Sequence, residues 1–353
     1  MSNNFGRSSV GLVTACCALL CCAAFSGRGQ SLVSVQDAQH FTSLGIDQSG
    51  ALVILGDIEN YEPALFEFTG TGFKITRLPA LSGGEFPEAY RISRDARYVV
   101  GSCKTPELQD AAMLWLRSDV TVPRHLGTVD GSSSTYPRDV ASTPDGPLII
   151  GNSTSGAFVW TQAGGMRPWI PGDGHVLHPY LERVTEDGRQ FVGEGFINGQ
   201  IVPILGTETN FVVLDSRNGL GGALAISPNG LHICGHINLQ STVWRKGKPH
   251  ILSLGTNKTS LLRTVTDHAR AGGGSSAGGI LYDSDGRNLE LFDDWWTGRY
   301  PDVPLPGHVT SVQDLYEKNG NLYCLLRGED GTSMESFSLL AIIPLKHRPK
   351  TTP

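Results

Sequence analysis

VASTPDGPLIIGNSTSGAFVWTQAGGM, residues 140–166, carries the pattern on which the whole chain is built. It holds a run of small residues, a tight turn on Asp145-Gly146, and a hydrophobic run that stops on Gly151. A second hairpin follows, with Trp160 in its first strand and Ala163-Gly164-Gly165 at its turn. A turn of this kind fixes the register of the strands it joins. The first half of the phrase recurs as GIDQSGALVILG (45–56), ISRDARYVVG (92–101), VTEDGRQFVG (184–193), AISPNGLHICG (225–235) and VTDHARAGGG (265–274). A divergent seventh copy is DLYEKNGNLYCLLRG (314–328). Aligned on Gly50, Ala96, Gly146, Gly188, Gly230, Ala269 and Gly320, the copies are 46, 50, 42, 42, 39 and 51 residues apart. In copies two to six a glycine stands five residues after that position: Gly101, Gly151, Gly193, Gly235 and Gly274.

The second hairpin also recurs, as ALFEFTG (64–70), AAMLWLR (111–117), STVWRKG (241–247) and GGILYDSDG (278–286). Phe68, Trp115, Trp160, Trp244 and Tyr282 then hold equivalent places, read as core between repeats. The return strands are FKITRLP (73–79), MRPWI (166–170), KPHILSL (248–254) and RNLELF (287–292). Two hairpins per 40–50 residues make a four-stranded antiparallel blade, which buries too little apolar surface to stand alone. The expected fold is all-β: a seven-bladed β-propeller of four-stranded antiparallel blades. The last unit offers three strands (308–316, 321–328 and 336–344), and SLVSV (31–35) is an orphan ahead of the first unit. Ser31 to Val35 is therefore expected to close the last blade. No long amphipathic helical pattern occurs after residue 40.

The paired phrases ISRDARYVVG (92–101) and DGPLIIGNSTSGAFVWTQAGGM (145–166) resemble the HAF-type extracellular repeat family of bacteria. The likeness runs from about residue 43 to 344 and is weakest in units four, six and seven. It implies an exported, propeller-like repeat protein and supplies no active site.

The N-terminus reads as an export signal: Arg7, then the uncharged run Val10 to Phe25, then Ala24-Phe25-Ser26 as a cleavage site. The expected organisation is a signal peptide at 1–26, an N-terminal segment at 27–42, the propeller at 43–344 and a polar tail at 345–353. The alternative is a lipid anchor at Cys16, in the box Val13-Thr14-Ala15-Cys16. The run of 16 residues is short for a membrane span. Cys103, Cys234 and Cys324 remain beyond it, scattered and odd in number, and read as buried small hydrophobes. Net charge is −6, which argues against a nucleic-acid surface. The protein is expected to be a secreted or periplasmic monomer without a transmembrane span, cofactor or metal.

Candidate chemistry is sparse. His175 and His178 form an H-x-x-H near Asp173 and Glu182, a weak metal candidate better read as a polar loop. Asp283 to Asn288 lacks the ligands of a calcium loop. Asn152 and Asn257 head glycosylation sequons. The more suggestive set is Arg91, Arg138, Arg183 and Arg263, each at the start of its unit's first strand, with Tyr90 and Tyr136 beside two of them. They lie 5, 8, 5 and 6 residues before their turn positions. If first strands line a central channel, these side chains surround one mouth of it and suit an anionic or polyhydroxylated ligand. Two functions follow: an exported binding or scaffold protein for carbohydrate or another anionic polymer, or an exported polysaccharide lyase or hydrolase.

Overall fold

The computed structural model describes residues 31–345, apart from 35–37, 70–71, 108, 130–131, 171–176, 256–257, 284–287 and 331–335. The expected signal peptide at 1–26, Cys16, His175, Asp173 and Asn257 lie outside the described residues. Seven four-stranded antiparallel sheets stand in a ring, a seven-bladed β-propeller. The innermost strands are His40–Ile46, Glu85–Ile92, Thr135–Thr143, Leu177–Val184, Gly221–Ile226, Ser260–Val265 and His308–Lys318. Each touches its two neighbours around the centre. The outer strand of blade 7 is Ser31–Ser34, antiparallel to Ser336–Pro344. Both ends of the described chain therefore meet in one sheet, which leaves no open seam in the ring.

The apolar faces pack in the seams. Trp115 and Trp244 are fully buried and Trp160 nearly so, each against the preceding blade. Tyr282 does the same in blade 6. In blade 1 the place belongs to the fully buried Phe66, opposite Ile54, and not to Phe68, which lies two residues further along the strand and is half-buried. Unit six has a turn one residue shorter: Thr266 pairs with Arg270, where Ser93 pairs with Tyr98 and Ser227 with His232. A one-residue slip would turn a strand's side chains to the wrong face. Here the shorter turn absorbs the difference and keeps the aromatic inward.

The same shorter turn corrects the glycine alignment in unit six. In each of blades 1 to 6 a residue of the innermost strand is bulged out of register at the same place, Thr42, Tyr90, Arg138, Glu182, Leu224 and Arg263, and blades 2 and 4 have a further shift nearer the start of the strand. The facing strand has a glycine next to each bulge: Gly56, Gly101, Gly151, Gly193, Gly235 and Gly273. A Cβ on any of the six would lie 1.9–2.4 Å from a carbonyl oxygen of the innermost strand. The repeated glycine is thus the imprint of the bulge. Gly273 holds this place in blade 6, not Gly274, whose Cβ would meet its nearest atom at an ordinary 3.4 Å. Gly273→Ala is expected to destabilise by about 1–3 kcal/mol through backbone displacement. Gly274→Ala, one residue on, should stay within about 0.5 kcal/mol. Urea unfolding of the two variants side by side measures the difference.

One helix, Phe292–Arg299, departs from the all-strand reading, and Phe292 opens it rather than ending a return strand. Asp293 and Asp294 in its first turn favour its N-terminus. Phe292, Trp295 and Trp296, at helical spacing, bury one face against blade 7. This insertion accounts for the longest interval between repeats. Eight residues are too short to show a periodic pattern.

Candidate functional site

The bulges build the centre of the molecule. A bulge re-aims one side chain and frees the amide beyond it. Blade 7 has two, at Thr310 and Gln313. One central cavity of about 210 Å³ is lined by Thr42, Tyr90, Arg138, Glu182, Leu224, Arg263 and Gln313, one bulged residue per blade. The residue after each bulge forms a second ring below: Ser43, Arg91, Asp139, Arg183, Ala225, Thr264 and Asp314.

The lower ring is a plug. Its oxygen-bearing side chains accept the freed amides of the next blade. Asp314 takes Leu44 N at 3.2 Å, Asp139 takes Val184 N at 3.0 Å, Thr264 takes Leu315 N at 3.0 Å and Ser43 takes Ile92 N at 3.5 Å. Asp314 is buried and also accepts from Thr264 Oγ1 at 3.0 Å. Arg91 stands 3.6 Å from it and Arg94 3.5 Å. Two arginines and two aspartates therefore close the channel below the cavity. Burial pushes the Asp139 carboxyl up to about 6, against the pull of Arg91.

Arg91, Arg138, Arg183 and Arg263 all reach the upper cavity, with Tyr90. They arrive from two layers: Arg138 and Arg263 are bulged residues, while Arg91 and Arg183 rise from the ring below. That is why Arg91 and Arg183 sit one residue nearer their turns than Arg263 does. Their surroundings differ. Arg91 is committed to Asp314 and to Thr42 O at 3.1 Å. Arg138 pairs with Glu182 at 3.0 Å and lies over the Tyr180 ring, leaving its buried Nε without a partner. Arg183 donates to Glu182 O at 2.8 Å. Arg263 is exposed, with no ion pair among the described residues. Four guanidinium groups face one carboxylate, Glu182, around a cavity in a chain of net charge −6. Among the described residues Arg183 and Arg263 pair with no carboxylate, so the lining has an excess of cationic groups.

Tyr136 does not belong to the cavity. Its hydroxyl donates to Asp110 Oδ2 at 2.6 Å, in an interblade cluster with Lys104. Tyr90 is held by Glu88 and Ser102, each at 2.8 Å, and burial pushes its phenol up. His178 is exposed, at a positive φ of 48°. Among the described residues no three metal-ligating side chains converge. Asn152 is buried, holding Leu181 N at 2.8 Å and Leu181 O at 2.9 Å, so its sequon is closed to a glycosyl transferase in the folded protein. Cys103, Cys234 and Cys324 are buried free thiols.

Sequence reasoning found the arginines through their recurrence but missed Glu182, Gln313 and Asp314 as lining and plug residues. The usable signal was the terminal glycine, since the residue bulged opposite it is the one that faces the channel.

No protein-family model matches the chain, and no curated protein matches it. Among solved structures it is similar to the extracellular domain of a one-component system from B. thetaiotaomicron, at 12% identity and a TM-score of 0.50. That match covers 87% of this chain and 39% of the other, so this chain spans well under half its length. It is also similar to TolB from Agrobacterium tumefaciens, at 13% identity and a TM-score of 0.42, over 87% of this chain and 91% of that one. At such identities the shared property is the β-propeller fold.

Proposed function

We propose that this propeller is a binding protein acting outside the cytoplasm, and that its central cavity takes one anionic group of a carbohydrate or related polymer. The observation that carries this reading is the convergence of Arg91, Arg138, Arg183 and Arg263 on one cavity with a single carboxylate. The volume, about 210 Å³, falls below that of sites for whole drug-sized ligands, roughly 300–1,000 Å³. It suits a charged end group, a carboxylate or sulfate held by forked hydrogen bonds. The N-terminal signal-like run and the resemblance to HAF-type repeats support export.

Arg263 is the informative position, because it is exposed and outside the plug. The probes are mannuronate, inorganic sulfate and inorganic phosphate, titrated calorimetrically into the folded protein. Arg263→Ala is expected to weaken the bound anion about tenfold, the loss of one charge-assisted contact, with an unchanged Tm. Wild-type protein that binds none of the three, or an Arg263→Ala variant with wild-type affinity, overturns the reading.

A further inference from the structure

Gly274 is a glycine that its backbone does not require. Its neighbour Gly273 cannot bear a Cβ, which would stand 1.9 Å from Leu261 O. Gly274 has room for one, its nearest atoms being Thr310 O at 3.4 Å and Ser311 Oγ at 3.6 Å across the seam to blade 7. In other blades this position carries a side chain into the seam. In blade 3 it is Asn152, which crosses to both backbone groups of Leu181 in blade 4. In blade 4 it is Glu194, whose carboxylate lies against Gly222 of blade 5. Blade 6 has nothing there, and the seam between blades 6 and 7 opens as a groove of about 380 Å³.

The groove and the central cavity are neighbours. Arg263 and Gln313 line both, so they form the wall between the two spaces. Beyond Arg263 the groove walls carry no charge. Their polar groups are the hydroxyls of Thr259, Ser260, Ser275 and Ser311 and the amide of Gln313. Ser311 Oγ and the Gln313 amide have no hydrogen-bond partner among the described residues. A charged inner end followed by an uncharged wall of hydroxyl and amide groups complements a chain that is anionic at its tip and hydroxylated behind it. An acidic peptide would instead bring backbone donors and acceptors in a fixed alternation, whereas the unpartnered polar groups of this groove are side-chain ones, the Ser311 hydroxyl and the Gln313 amide.

We propose that the seam between blades 6 and 7 is a second subsite, which takes the sugar units behind an acidic terminal residue held in the central cavity. The ligand class is a uronic-acid-terminated oligosaccharide. This rests on the reading of the cavity as an anion site and extends it outward along one defined seam.

The test compares mannuronate with trimannuronate, and mannotriose as the uncharged control, by titration calorimetry. Wild-type protein is expected to bind trimannuronate at least tenfold more tightly than mannuronate, and mannotriose weakly. Gly274→Asn restores the seam side chain of blade 3 and fills the groove. It should reduce trimannuronate affinity to that of mannuronate while leaving mannuronate binding unchanged. Ser311→Tyr closes the groove from the opposite wall and should act alike, so the result does not hang on one variant. Monomer binding intact with trimer affinity unaltered in both variants overturns the groove alone. Triglutamate bound more tightly than trimannuronate overturns the saccharide class. A wild type that binds neither mannuronate nor trimannuronate overturns the cavity reading beneath it.

Discussion

Asp314→Ala is expected to lower the unfolding free energy by about 3–5 kcal/mol, the range for breaking a buried charge pair on one side. The carboxylate, in blade 7, is the common acceptor for three other blades. It holds Leu44 N and Ser43 Oγ of blade 1, Thr264 Oγ1 of blade 6, and the guanidinium groups of Arg91 and Arg94 in blade 2. Its removal leaves Arg91 and Arg94 without their paired carboxylate, Asp139 remaining against them, and the Leu44 amide without an acceptor. Denaturant unfolding followed by tryptophan fluorescence measures the loss. Adding Arg91→Met to Asp314→Ala should recover part of it, because an uncompensated charge is then absent. A single-variant loss below about 1 kcal/mol would mean that the plug is not a stabilising element. Arg91 is for the same reason a poor probe of ligand binding, since its replacement changes the fold's centre and the cavity together.

Trp115→Ala should cost a comparable 3–5 kcal/mol by emptying the seam between blades 1 and 2. The indole is fully buried among Val53, Leu55, Leu65 and Leu78 of the first repeat and Val99 and Met113 of its own. Its Nε1 donates to Pro79 O at 2.9 Å, a bond that also fixes the connection between the two blades. Trp115→Phe keeps most of the packing and loses the donor, so it should fall near 1–2 kcal/mol and separate the two contributions. Thermal unfolding of both variants, at matched pH, checks the order. Equal losses for Phe and Ala would assign the whole effect to the hydrogen bond.

The blades were legible because a propeller repeats its physics. Turn residues, a terminal glycine and a third-strand aromatic recur since each blade meets the same neighbour in the same way. What did not repeat was hidden. The helix Phe292–Arg299 occurs once, and its eight residues have no second copy to betray them. The shortened turn before Ala271 moved the glycine phase by one, and in the run Gly272-Gly273-Gly274 the sequence offers no means of choosing between neighbours. The arginines were visible as a recurrence, but their imperfect spacing concealed two layers that only the bulges separate. Tyr136 shows the limit of reading by proximity. It precedes Arg138 by two residues, yet its hydroxyl turns to Asp110 in the adjoining blade.

The pairing of Ser31–Ser34 with Ser336–Pro344 also sets a temporal order. Ser31–Ser34 finds its partner only after some three hundred further residues have been made. Until then blade 7 lacks an outer strand and blade 1 a neighbour, and each shows an unpaired edge or an apolar face to the surroundings. A chain truncated before residue 336 can form several blades and still never close. The nascent protein therefore depends longest on whatever shields exposed strands, and its ring is completed in a single late event that joins a strand made early to one made some three hundred residues later.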